Sequence, residues 1–287
     1  MVIVKRRKKR LNRSLGGNIV GFTLLALLAV FMALPIIFTV VNSLKPLNEL
    51  FIFPPRFYVV RPTLDNFANM FSLVRTTFVP FERYLFNTVF TTAAGTTAYI
   101  LIAAMAAYPL AKHRFKGRLL FVNLVVWAMM FRPEFVWMPQ YYVVAAFGWI
   151  NTYWSLIIPA MSSSLGVFLM RQFICSSVPD SILEAAKIDG AGEIYTFFRI
   201  IMPMVKPAWL TLTIFTFQSL WNATGNVFTY NEEMKMLSNV MSQMSTGGLA
   251  YTGVTSAVAL FLLIPPVVIF LFCQNSVIET MAQSGIK

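Results

Sequence analysis

Residues 182–207 read ILEAAKIDGAGEIYTFFRIIMPMVKP. This is a polar island in a chain that is 57% hydrophobic and only 12% charged. A soluble domain carries about twice that charged fraction. Glu184, Lys187, Asp189, Glu193, Arg199 and Lys206 are punctuated here by Gly190 and followed by Pro203 and Pro207. Around the island lie apolar runs of about 20 residues, the length that crosses a hydrocarbon core of about 30 Å. Every backbone polar group must be satisfied inside lipid, which leaves helices or a closed barrel. The runs lack the period-two alternation of barrel strands, so the expected fold class is an all-α membrane protein. Six transmembrane helices are expected, at roughly 19–41, 86–110, 119–144, 153–170, 208–228 and 252–273.

The net charge is +12, and its distribution sets the orientation. Of 23 basic residues, 16 fall on one alternate set of loops, 6 on the other, and Arg132 lies inside a span. The positive-inside rule then places both termini and the 171–206 loop in the cytoplasm. The resulting organisation is a basic N-terminus 1–18, a first helix 19–41 and an extracytoplasmic loop 42–85. A transmembrane core 86–273 and a C-terminus 274–287 follow. Lys5, Arg6, Arg7, Lys8, Lys9, Arg10 and Arg13 read as a membrane anchor beside the first helix, with no nucleic-acid role. Ile19–Val41 is too long for a signal-peptide core and lacks a small-residue cleavage site, so it is expected to be an uncleaved helix. Five prolines in 42–85 imply a folded cap of short helices and turns. Pro265 and Pro266 are expected to kink the last span.

Covalent chemistry finds no support. His113 is the single histidine and stands in a basic loop without a ligand or nucleophile cluster. Cys175 and Cys273 have no metal or disulfide spacing. No catalytic residue and no metal site are expected. The chain also has no GxxxxGK[ST] phosphate loop, so any nucleotide must bind a partner.

Inside the 171–206 loop, Ser177 suits a helix start and Pro179 a first turn. A short helix is expected over about 179–189, ended by Gly190 in a left-handed conformation. A second is expected over about 193–199, and Pro203 and Pro207 turn the chain back into the membrane. Ala185 and Ala186 make the first helix slim, and Glu184 gives it an acidic end for a basic partner.

The spacing Glu184-Ala185-Ala186, Gly190, Ile200, Met202, Pro203 resembles the EAA loop of ABC-importer permeases, with Met202 in place of the usual Leu. Further stretches are similar to the carbohydrate branch of that family. They are Asp189-Gly190-Ala191, Lys206-Pro207, Thr63-Leu64-Asp65-Asn66-Phe67, Asn151-Thr152-Tyr153-Trp154, Trp221-Asn222 and Ser284-Gly285-Ile286-Lys287. Together they resemble the shorter, six-span subunit of maltose-type and Gram-positive complex-oligosaccharide importers. The resemblance implies coupling helices between spans 4 and 5, with Glu184, Ala185, Ala186, Asp189, Gly190 and Pro203 seated against an ATPase dimer. It also implies a heterodimer with a second permease subunit, an extracytoplasmic solute-binding protein and an oligosaccharide substrate. ATP and Mg would sit on the ATPase. The location would be a bacterial cytoplasmic membrane. A permease for a non-sugar solute and a stand-alone secondary transporter remain open alternatives.

Arg132 falls near mid-bilayer, where a charge costs about 2.5–3.5 kcal/mol on insertion scales unless it faces protein or water. Arg132 and Glu134 either pair structurally with the partner subunit or line the solute pathway. In the second case Arg132 favours an acidic glycan through bidentate bonds to carboxylates. Trp127, Phe131 and Trp137 are candidates for stacking on sugar rings, and packing or lipid contact is their alternative role. Trp221 and Asn222 are open between helix-end packing and solute contact.

Overall fold

The computed structural model describes residues 15–75, 79–131, 133–223, 228–244 and 251–284. Among these residues the structure is all-helical and contains no strand. Three helices are long and apolar enough to cross a membrane by length and composition, Gly16–Ser43, Phe81–Lys112 and Thr252–Gln274. The number rises to five if each of two bent pairs counts as one span.

Helix α1 (Leu15–Ser43) precedes a cap built from α2 (Leu47–Leu50) and α3 (Asp65–Arg75). The central helix is α4 (Phe81–Lys112). Its buried residues recur at spacings of three and four from Tyr84 to Ala111, which is one face of a helix. Pro80 stands at its N-cap position and Lys112 in its last turn. The N-terminal half of this buried face is polar, with Asn87, Thr88, Thr91, Thr92 and Thr96. The C-terminal half includes Ala103, Ala104, Ala107 and Ala111 among larger residues such as Ile100 and Tyr108. Small residues let neighbouring backbones approach, which is how helices gain packing energy where lipid competes for apolar surface.

The expected third span is two helices, α5 (Arg118–Met129) and α6 (Pro133–Ala146). The twelve residues of α5 reach only about 18 Å, too short to cross alone. The fourth is α7 (Trp154–Met161) and α8 (Ser164–Ser177), bent by 44°. Ser163 lies at the break and caps α8 by accepting the Gly166 amide. Beyond it come α9 (Asp180–Ile188), α10 (Glu193–Tyr195), a π-helical turn Thr196–Ile201 and α11 (Met202–Met204). The chain then bends by 79° into α12 (Lys206–Trp221), which stops seven residues short of the expected 228. A short α13 (Leu237–Met244) leads to α14 (Thr252–Ser284), in which Pro265 and Pro266 are accommodated within one helix.

Two buried clusters mark the two ends of α4. At its C-terminal end, Ala103, Ala104 and Ala107 pack with Met170 and Ile174 of α8, Ile201 of the π turn and Leu212 of α12. At its N-terminal end, Tyr84 packs with Met70, Leu237, Met241 and Val258. Helix α14 closes the body against α12, α1 and α3. Thus the described residues of the 42–85 and 229–251 segments gather at one end of α4, and the 171–206 segment at the other.

Hydrogen bonds tie the first end together. Asn66 Nδ2 donates to Ser43 O at 2.9 Å and Lys45 O at 2.8 Å. A Cβ at Gly253 would come within 2.3 Å of Asn66 Oδ1, so only glycine lets α14 pass this close. Asn87 Nδ2 donates to the carbonyls of Glu233 (2.8 Å) and Lys235 (3.0 Å), and Tyr153 Oη donates to Asn87 Oδ1 at 2.7 Å. Asn151 takes a left-handed φ of 57°, and its Oδ1 accepts the amides of Tyr230 (2.6 Å) and Asn231 (2.9 Å).

Candidate functional site

The element between α8 and α12 is built around the C-terminus of α9. The Gly190 amide donates to Lys187 O at 3.1 Å, and the Ala191 amide reaches back five residues to Ala186 O at 2.9 Å. With φ +74° at Gly190, these two bonds form a Schellman stop. Gly190 therefore ends α9 as its sequence position implies. The N-terminal end differs from expectation. Ser177 is the last residue of α8, and Pro179 occupies the position before α9. An extended φ of −66° with ψ 142° suits a proline there.

The three residues Glu184-Ala185-Ala186 do not face one way. Ala186 is 6% exposed and seats the helix on the body, while Glu184 and Ala185 point outward. The outward surface is apolar at its edges, with Ile188 at 85% and Ile194 at 76% exposure, and Tyr195 and Phe198 beside them. Asp189 and Gly190 are exposed, as is Pro203 within α11. A cleft of ≈ 450 Å³ runs beside α9, lined by residues that include Lys112, Arg114, Leu183, Glu184 and Lys187. A shallower one of ≈ 650 Å³ lies against Ala186, Asp189, Gly190 and Arg199. A slim helix with an acidic flank and an apolar rim can serve as a plug for a socket that carries basic residues.

The last turn of α4 collects the surrounding elements. Arg118 donates to Leu110 O (2.9 Å) and Ala111 O (3.0 Å), and Arg171 of α8 donates to Leu110 O (3.2 Å). These guanidiniums satisfy carbonyls that a helix end leaves without partners. Lys112 Nζ donates to Val178 O at 2.5 Å and to Asp180 Oδ1 at 2.7 Å. Tyr108 Oη donates to Glu193 Oε2 at 2.7 Å, and His113 Nε2 lies 3.6 Å from the same oxygen. The hydrogen bond and charge of Lys112 hold the Asp180 carboxyl below its ordinary value of 3.8. A depressed carboxylate stabilises the fold above its unfolded value and loses that effect as pH falls through the lowered one. The contribution of the Asp180 carboxylate is therefore constant across the neutral range. Tyr108, Lys112, Asp180 and Glu193 escaped sequence reasoning as a group because 66 to 85 positions separate the partners.

The candidate pathway residues are not brought into one visible site. Arg132 and the side chain of Glu134 lie outside the described residues. Trp127, Phe131 and Trp137 are on α5, the following turn and α6, each with about half or more of its surface exposed. Trp221 is 4% exposed, stacks on Phe217 at 5.7 Å and donates its Nε1–H to Leu262 O at 3.0 Å. Asn222 donates to Gln218 O at 3.0 Å and ends α12. Within this chain both do helix-end work. No group of three or more His, Cys, Asp or Glu residues that could hold a metal occurs among the described residues.

Comparison with known families decides the class. Residues 99–282 match the family described as the binding-protein-dependent transport system inner membrane component. The chain belongs to this family. The match spans the α4 C-terminus, the α9 element and α14, the parts that build the junction above. Protein LplC of Bacillus subtilis is 33% identical over 219 residues, covering 74% of this chain and 70% of its own. The arabinooligosaccharides transport system permease protein AraQ of Halalkalibacterium halodurans is 27% identical over 277 residues, 93% of this chain and 95% of its own. A crystal structure of a bacterial ABC transporter involved in import of the acidic polysaccharide alginate contains a chain of the same fold. Its TM-score is 0.76 at 22% identity, over 93% of this chain and 99% of that one. The protein is thus an ABC-transporter permease, a membrane transport subunit.

The Schellman stop yields a direct test. Gly190→Ala costs about 1–2 kcal/mol for placing a Cβ in the left-handed region, whereas Gly190→Asn, which tolerates that region, costs less. Thermal unfolding of the detergent-purified protein should rank glycine above asparagine above alanine.

Proposed function

We propose that this chain is one of two membrane subunits of an ATP-driven importer that carries an oligosaccharide across a bacterial cytoplasmic membrane by alternating access. In this reading it crosses the membrane six times, with both termini inside. The broken α5–α6 and bent α7–α8 serve as the third and fourth spans. A second permease subunit completes the pathway. An extracytoplasmic binding protein delivers solute to the end of α4 that carries the described parts of the 42–85 and 229–251 segments; a Gly247–Gly248 turn that presents a loop to it belongs to this proposal, and both glycines lie outside the described residues. An ATPase dimer takes ATP and Mg at the other end, and closing it moves the helices as rigid bodies.

One observation carries the reading: α9 is a Gly-stopped helix seated through Ala186, with Glu184 and Ile188 turned away from the body at the end of α4 opposite the cap. Such a surface has no function in lipid and suits a soluble partner. Support for an oligosaccharide comes from relatives whose names state such solutes. Import of the acidic polysaccharide alginate by the structural neighbour, together with Arg132, favours an acidic one. Trp127, Phe131 and Trp137 are the proposed ring contacts.

Two measurements test this. Glu184→Lys places a cation where a basic socket is proposed, and transport by the reconstituted complex should fall by more than about tenfold, the effect of 1.4 kcal/mol or more at the contact. Wild-type transport by that variant would contradict docking through α9. For the solute, Arg132→Gln should lose uptake of uronate-bearing oligosaccharides while keeping that of neutral ones. Equal, undiminished uptake of both would remove Arg132 from solute selection.

A further inference from the structure

Helices α9 and α10 are covalently continuous with α8 and α12, through Val178–Pro179 and through the π turn. Their noncovalent anchor is a different helix. Lys112, the last residue of α4, holds both the carbonyl that ends α8 and the carboxylate that begins α9. One turn earlier, Tyr108 holds the carboxylate that begins α10. The edge of the His113 ring packs on Tyr108 at 4.9 Å and borders the same carboxylate.

The asymmetry of burial is informative. The Lys112 side chain is 9% exposed while its partner Asp180 is 78% exposed. Exposed ion pairs contribute little to stability. Yet here a buried lysine stem aims its charge at the first turn of a surface helix, and a second contact repeats the arrangement at the next helix. Two anchors of the same design, one per short helix and both from one turn of α4, fix the orientation of the pair relative to that helix.

We propose that Tyr108 and Lys112 are positioning residues for energy coupling. Acting through Glu193 and Asp180, they make α4 move with the docking element when the ATPase closes. This rests on the reading of α9 as the ATPase-docking helix. Without the anchors, displacement of α9 and α10 would reach α8 and α12 along the chain but would reach α4 only indirectly, through the packing of those helices on it and the Arg171 bond to Leu110 O. With them, α4, which runs the length of the molecule, turns as one body with the docking helices.

The test uses the full complex of this chain, its partner permease, the ATPase and the binding protein in liposomes, with uptake and ATP hydrolysis measured together. Lys112→Glu should lower solute moved per ATP by at least about 5-fold, the lower bound of a typical intersite coupling. The charge exchange Lys112→Glu with Asp180→Lys should recover a measurable part of the ratio, because it restores the ion pair with its charges exchanged but not the hydrogen bond to Val178 O. Tyr108→Phe, which removes one hydroxyl, should lower the ratio without loss of subunits. An assembled Lys112→Glu complex with an unchanged ratio would overturn this assignment alone. A defect that the exchange does not rescue would make Lys112 merely structural and overturn it too. A wild-type chain that retains no ATPase would overturn the docking reading itself, and this assignment with it.

Discussion

Ala103, Ala104, Ala107 and Ala111 form a strip of small residues in the C-terminal half of α4, between the larger buried Tyr99, Ile100 and Tyr108, and α8, the π turn and α12 close onto that strip. The rest of the molecule depends on this close approach. In lipid there is no hydrophobic gain from apolar burial alone, so helices associate where small residues permit dense contact. A larger side chain at Ala104 or Ala107, both fully buried, would wedge α8 and α12 away. The junction at the end of α4 follows from the same contact. Arg171 can reach Leu110 O, and Lys112 can reach Val178 O, because α8 lies against α4 there.

The same helix reaches the opposite end by other means. Beyond Gly95, the buried face turns polar, and Asn87 and Thr88 hold the 233–237 backbone through three hydrogen bonds. A helix of 32 residues is about 48 Å long. One continuous helix therefore connects the cap to the polar element proposed to meet the ATPase. In the proposed alternating-access reading, that continuity lets an event at one end of α4 be felt at the other.

The all-helical class was legible because apolar runs of membrane length have few alternatives. The Gly190 stop was legible because Schellman geometry is local. What failed was continuity. Hydropathy cannot tell one helix from two successive ones, so 119–144 read as a single span although α5 ends at Met129 and α6 starts at Pro133. Pro133 opens a helix at the break, whereas Pro35, Pro265 and Pro266 each lie inside a helix that continues past them. Ser177 looked like a helix start, yet the segment before it was already helical. The bonds from Tyr108 and Lys112 had no local signature, because their partners lie far along the chain. Conversely, two stretches noticed only as family resemblance have physical explanations. Asn66 and Asn151 are side chains that lace together the segments at the N-terminal end of α4.

The central claim is that the outward face of α9 meets a cytoplasmic ATPase. The most direct measurement places a photo-crosslinking residue at Ile188, 85% exposed at the end of α9, with a control at Phe272, 81% exposed on α14. Irradiation of membranes from cells making the whole transporter should join the Ile188 probe to the ATPase subunit and leave the Phe272 probe without that product. An Ile188 probe that never captures the ATPase in an assembled, active complex would contradict the account.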